Sequence, residues 1–187
     1  MLAYPMSSDK SATTVPSFNV SKGKELAARL FYEAYEEAVL IPDLIVIYTD
    51  GSKSDKGTAV AWTTEECGMS EGARAFATPS SWSIVECEIF AIIATLRNIQ
   101  SEFHGMIIIF SDCISAFTCI ALMEPEGKST SMWDVLTPLF NHFSAVQICW
   151  IPGHCGIAGN EMSDARAKEV VGMFETGLVL CWVLVTP

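Results

Sequence analysis

Two unbroken apolar runs, residues 44–48 (Leu-Ile-Val-Ile-Tyr) and 106–110 (Met-Ile-Ile-Ile-Phe), stand out along this chain, and each is followed within two residues by an aspartate. Neither run alternates with polar residues, so each predicts a central strand covered on both faces. The first passes through Thr49 to Asp50-Gly51-Ser52 and the second through Ser111 to Asp112. Between them, residues 57–63 and 72–77 predict two short strands joined to the first by hairpin-length turns, an antiparallel meander of three. Pro79-Ser80-Ser81 announces a helix running to about Arg97, with Ile84, Ile89, Ile92, Ile93 and Leu96 at its core positions. After the second run, helices are expected over residues 115–123 and 129–143, separated by Glu124-Pro125-Glu126-Gly127. A fifth strand follows at 146–151, and a glycine-rich loop from Pro152 leads into a helix over 160–171.

Ahead of the first strand, residues 22–40 place Leu26, Leu30, Phe31, Ala34, Tyr35 and Ala38 on one stripe, with Ser21 as the cap. This amphipathic helix is broken by Ile41-Pro42-Asp43. Residues 1–20, rich in Ser, Thr and Pro, read as a flexible lead-in. A meander followed by alternating helix and strand predicts the α/β class, a five-stranded mixed sheet with helices against it. The divisions are a lead-in with linker helix over 1–43, one domain over 44–171 and an apolar tail over 172–187. Eight consecutive apolar residues in that tail fall well short of the ~20 needed to span a bilayer, so no membrane partner is expected. The tail reads as a strand, a packed extension or an aggregation-prone end.

Composition changes this picture in two ways. With 187 residues, half of them apolar, one full core is affordable and two are not. A formal net charge of -11 argues against a chain that grips nucleic acid through a basic face. The seven cysteines form no Cys-x-x-Cys pair and sit mostly in apolar segments, as reduced core residues would, and no secretory signal opens the chain. An intracellular setting, cytoplasmic or nuclear, is expected.

Candidate chemistry begins with the strand-end aspartates. On adjacent parallel strands Asp50 and Asp112 would stand side by side at one sheet edge and repel each other. A divalent cation relieves such a pair, and oxygen ligands without a histidine or thiolate cluster suit magnesium or manganese. Glu86 and Glu88 are two residues apart on a helix, so only one can face the sheet. Glu88 is the choice, because Ile84, Ala91 and Ile92 share its side and small Ala91 permits close approach. Asp164 is the fourth candidate. Each residue alone reads as structural, Asp50-Gly51 being a common turn pair.

Taken together, Thr49-Asp50-Gly51-Ser52, Glu88-Ile-Phe-Ala-Ile92, Ser111-Asp112 and Trp150-Ile-Pro-Gly-His154-Cys-Gly-Ile-Ala-Gly-Asn160-Glu161-Met-Ser-Asp164 resemble the four signature blocks of type 1 ribonuclease H. More narrowly they are similar to the ribonuclease H domains of non-LTR retrotransposon polyproteins. The resemblance covers residues 44–171, and its last block agrees in order and spacing at a dozen positions. It implies a ribonuclease H-like fold and an endonuclease that cuts the RNA strand of RNA-DNA hybrids, with a reverse transcriptase as a neighbour in the parent polyprotein. It further implies that Asp50, Glu88, Asp112 and Asp164 bind two Mg2+ or Mn2+ ions, with Asp50 shared, and that His154 assists from its loop. Gly51, Ser52 and Asn160 are the expected substrate contacts. Four carboxylates around a metal pair are what two-metal phosphodiester hydrolysis requires.

Zinc at Cys113, Cys149, His154 and Cys155 is disfavoured because their spacing matches no zinc pattern. No Gly-x-Ser-x-Gly elbow or phosphate-cradling glycine motif is present. Trp62, Trp133 and Trp150 lie in apolar patterns, as core rather than base-stacking residues do. Departures from the family pattern are Cys113, where serine is usual, Ile114, where a polar residue often meets the DNA strand, and Ser83-Ile84-Val85, which lacks minor-groove asparagines. Residues 44–171 hold 7 Lys and Arg against 15 Asp and Glu, a net of -8. Two functions from different classes therefore stand: an active hybrid-specific ribonuclease, and a catalytically weak or inactive retrotransposon-derived remnant that keeps the fold as a binding module.

Overall fold

The computed structural model describes residues 2–5, 23–66, 69–123 and 133–175. In chain order the elements are β1 (Leu2–Pro5), α1 (Lys24–Ala38), β2 (Leu44–Lys53), β3 (Thr58–Glu66), β4 (Met69–Thr78), α2 (Ile84–Ile99), β5 (Met106–Ser111), α3 (Ile114–Met123), α4 (Trp133–Phe140), β6 (Ala145–Trp150) and α5 (Ala158–Glu175). The sheet runs β1-β6-β5-β2-β3-β4. The meander β2-β3-β4 is antiparallel, whereas β2, β5 and β6 are mutually parallel neighbours. These five strands are the expected mixed sheet. β1 adds a sixth, antiparallel to β6, inside a stretch read from sequence as a flexible lead-in. Four residues are too few to carry a periodic signal, and their pairing partner lies more than 140 residues away.

The apolar runs are covered on both faces, as their lack of alternation requires. One face presents Ile45, Ile47, Ile107, Ile109, Val146 and Ile148 to Ile89, Ile92 and Leu96 of α2, Ile120 of α3 and Leu136 of α4. The opposite face presents Leu44, Val46, Tyr48, Ile108, Phe110 and Cys149, and here Ala28 and Phe31 of α1 close the core. Phe31 is 2% exposed and meets the Phe110 ring edge-on at 5.0 Å. Full burial of such a ring contributes about 2–3 kcal/mol, so α1 is held by its apolar stripe. The Tyr35 hydroxyl adds a hydrogen bond to Glu65 of β3, and burial followed by that bond pushes its pKa well up. Ser21 and Lys22 lie outside the described residues; Gly23 occupies the N-cap position.

α5 lies across β2, β3 and β4. It approaches so closely that a Cβ on Gly159 would fall 2.2 Å from the Tyr48 ring, which leaves room for glycine alone. Ser163, fully buried, donates to the Tyr48 carbonyl at 3.0 Å and meets the Thr63 hydroxyl at 3.0 Å, so these two hydroxyls are satisfied where the helix crosses the sheet.

Three expectations shift. α2 starts at Ile84 behind Ser83, which forms a capping box with Glu86. Ile84 is therefore a first-turn residue, 38% exposed, and not part of the core. α4 ends at Phe140, three residues early, although Phe143 is still buried. α5 begins two residues before Asn160 and continues past Val171 to Glu175, four residues into the segment read as tail; residues 176–187 lie outside the described residues, as do 124–132 and Cys67. The side chain of Trp133 is not described, while Trp62 and Trp150 are buried as core residues.

Candidate active site

Register brings the aspartates together. In the parallel ladder Thr49 pairs with Ser111 and Ser111 with Trp150, so Asp50 and Asp112 leave the sheet side by side at the carboxyl ends of β2 and β5. α2 delivers Glu88 from one face. Ligand oxygens of Asp50, Glu88 and Asp112 all lie within 4.8 Å of one another. Asp50 is 5% exposed and Glu88 3%. Glu86 points the other way, into solvent, where its carboxylate accepts from the Ser83 backbone N–H at 2.7 Å. Those Ser83 hydrogen bonds hold the Glu86 pKa below the usual range.

The second strand-crossing element, α5, brings Asp164 from the opposite face. His154 Nδ1, Glu161 and Asp164 form a second group whose ligand atoms lie within 4.8 Å of one another. His154 Nδ1 stands 3.9 Å from Glu161 Oε2 and 3.8 Å from Asp164 Oδ2, and its backbone has φ 53. Lys168, one turn beyond Asp164, donates to Asp164 Oδ2 at 2.7 Å.

Electrostatics ties the two groups together through Asp50. Burial above all, then the charges of Asp112 and Asp164, pushes the Asp50 pKa up to about 8, with Lys168 opposing. Burial and the Asp50 charge push Glu88 well up as well, against hydrogen bonds from the Gly51 N–H and Ser111. Among the described residues no hydrogen-bond donor reaches Asp50 Oδ2, although that oxygen is buried. A buried carboxylate oxygen with no donor, beside two further carboxylates, is costly unless it is protonated or meets a cation. The donor set is all oxygen, so a hard divalent ion fits it.

The remaining carboxylates are held by partners. Glu88 Oε1 accepts from the Gly51 N–H at 3.0 Å, and Ser111 Oγ reaches Oε2 at 3.5 Å. Asn160 Nδ2 donates to Asp112 Oδ2 at 3.3 Å, and Trp150 Nε1 donates to the Asp112 carbonyl at 2.9 Å. Of the expected substrate contacts, Asn160 is 1% exposed and sits beside Asp112, and the Gly51 N–H donates to Glu88. Ser52 stays half-buried near the strand end. Trp150, Ser111 and Lys168 were not singled out as site residues from sequence; only Lys168 has a local signal, its four-residue spacing from Asp164.

Cysteine takes no part in either group, so zinc finds no support among the described residues. Burial pushes the Cys149 thiol up to about 12, and Cys155 Sγ donates to the Pro152 carbonyl at 2.9 Å. No helix among the described residues is long and apolar enough to cross a membrane.

Comparison with known proteins bears on this geometry. A search of curated proteins finds no match. Among solved structures, the chain is similar to the N-terminal RNase H domain of Rv2228c from Mycobacterium tuberculosis, determined as a fusion protein with maltose binding protein. The TM-score is 0.59 at 14% identity, over 73% of this chain and 99% of that one, a likeness of fold. The sequence profile of the RNase H family matches residues 42–171, from just before β2 into the last turns of α5. That span is most of the chain and contains all five acids of the two groups, and on this match the chain belongs to the RNase H family.

Proposed function

We propose that the chain is an endonuclease hydrolysing the RNA strand of RNA-DNA hybrids, with Asp50, Glu88, Asp112 and Asp164 holding two divalent ions, Mg2+ or Mn2+. Membership of the RNase H family supports the reaction class. The observation that carries the site is the buried, donorless Oδ2 of Asp50, whose ionisation both Asp112 and Asp164 oppose. Such a residue is the natural shared ligand between the two acidic groups. When bound, the ions would supply a hydroxide-like water and stabilise the leaving 3′ oxygen.

The chain's own residues preorganise the site. The Gly51 N–H and Ser111 orient Glu88, and Asn160 and Trp150 fix Asp112, whereas Lys168 engages Asp164 Oδ2 itself. His154, exposed on its loop beside Asp164, is placed to exchange protons or assist product departure. Gly51 and Ser52 at the strand end, with Asn160 beside Asp112, are the candidate contacts to the RNA strand, where the 2′-hydroxyl distinguishes RNA from DNA. The reading extends to a retrotransposon polyprotein whose reverse transcriptase holds the hybrid, which would let this domain dispense with a basic grip. It also takes an intracellular setting, supported by the free thiols of Cys87, Cys113, Cys119 and Cys149.

Cleavage of a labelled RNA-DNA hybrid with Mg2+ or Mn2+, beside duplex and single-stranded RNA, tests the proposal. Metal-dependent cutting of the hybrid alone is expected. A second reading, the inactive remnant, is favoured by the net charge of -11 and by Ile114, 50% exposed at the start of α3 beside Asp112. It stands if a fusion to a basic hybrid-binding module still shows no metal-dependent cleavage.

A further inference from the structure

α1 lies outside residues 42–171 that the RNase H profile matches, yet it reaches the His154 loop. Tyr32 Oη donates to the Gly156 carbonyl and accepts from the Ala158 N–H, each at 3.0 Å. The two contacts flank Ile157, which is 1% exposed and packs in the cluster that also holds Phe31 and Ile151. Ala158 is the first residue of α5, so its N–H has no partner within the helix and Tyr32 supplies one. On the other side, Gly156 N donates to Glu161 Oε1 at 3.2 Å. His154 and Gly156 both have positive φ, 53 and 83, so the loop turns sharply between its two anchors.

The hydroxyl itself is well placed to hold a position. Phe31 packs edge-on against the Tyr32 ring at 5.2 Å, and Phe31 is locked in the core. Tyr35, one turn on, ties the same helix to Glu65. α1 is therefore a rigid arm, and the arm ends on the loop that carries His154.

We infer that Tyr32 is a positioning residue: through its two hydrogen bonds the helix preceding the domain sets the conformation of the His154 loop and the start of α5. The inference rests on the proposed role of His154 for its effect on turnover, though not for the tie itself. Without the hydroxyl the Gly156 carbonyl and the Ala158 N–H lose their fixed partner, and His154 samples positions away from Asp164.

Tyr32→Phe in the full chain keeps the ring and removes both bonds. Amide hydrogen exchange should accelerate at Ala158 and its neighbours by about tenfold, while exchange in β2 and β5 stays as in wild type. On hybrid substrate kcat should fall about threefold to tenfold with KM within about twofold. In a His154→Ala background the same change should cost nothing more in kcat. Unchanged exchange at Ala158 overturns the inference, whatever the activity. So does an equal kcat loss in both backgrounds, which would place the effect of Tyr32 in the fold at large. If wild type does not cut hybrid, the proposed function fails, and the exchange measurement alone then upholds or overturns the tie.

Discussion

A Cβ on Gly153 would stand 2.3 Å from Oδ2 of Asp112, so the loop after β6 closes against the site carboxylate with no space for any side chain. The same oxygen accepts from Asn160 at 3.3 Å, which leaves it little freedom to retreat. Gly153→Ala should therefore displace Asp112 and lower turnover by about 10²-fold, because small misplacements of reacting groups are costly. Overpacking should cost only about 1–3 kcal/mol of stability. Cleavage rates and thermal melts on one preparation check this; turnover within a few-fold of wild type would show that the loop relaxes instead.

Metal-free stability should depend on pH with a definite sign. The Asp50 pKa rises from 3.8 to about 8 on folding, so its contribution is fully present below about pH 4 and is lost as pH climbs through 8. Glu88 shifts in the same direction. Unfolding free energy in chelator should fall with a slope of up to about 1.4 kcal/mol per pH unit for Asp50 across that window. Asp50→Asn should abolish hydrolysis, flatten the slope and leave the apoprotein as stable as wild type or more so at pH 8. A large drop in its melting temperature at every pH would make Asp50 structural.

Glu86 and Glu88 should separate cleanly. Glu88→Gln keeps an acceptor for the Gly51 N–H but loses the charge, so activity should be lost with the fold retained. Glu86→Gln retains a side chain able to close the capping box, so activity should survive with a stability change below about 1 kcal/mol. Full activity of Glu88→Gln in Mg2+ would remove it from the ligand set.

Lys168 competes for Asp164. Its ammonium lies 2.7 Å from Oδ2, and that hydrogen bond raises its own pKa. The pair is partly solvated, so its worth is about 0.5–1 kcal/mol. Lys168→Met should accordingly tighten Mn2+ binding in calorimetric titration by about twofold to fivefold. Weaker binding in the variant would mean that the lysine orients Asp164 for the ion and does not compete with it.

Much of this site was written locally. Two apolar runs without alternation specified buried central strands, and a carboxylate just past each run had to emerge at the same sheet edge once the strands were parallel neighbours. The two-residue offset of Glu86 and Glu88 let only one of them face the sheet, since a helix turns about 100° per residue, and small Ala91 with Ile92 beside Glu88 favoured that one. Even the Lys168 contact follows from its spacing on one helix. By contrast, Tyr32 meets Gly156 and Ala158 across more than 120 residues, and Trp150 reaches the Asp112 carbonyl across 38. β1 pairs with a strand near the other end of the chain, and Asn160 is buried beside Asp112 because α5 docks so tightly over Gly159. Periodicity and turn chemistry act between neighbours in sequence, so they determined the elements, their order and the acids at their ends. Which hydroxyl, indole or amide holds those acids depends on packing between distant elements, and only the tertiary structure decided it.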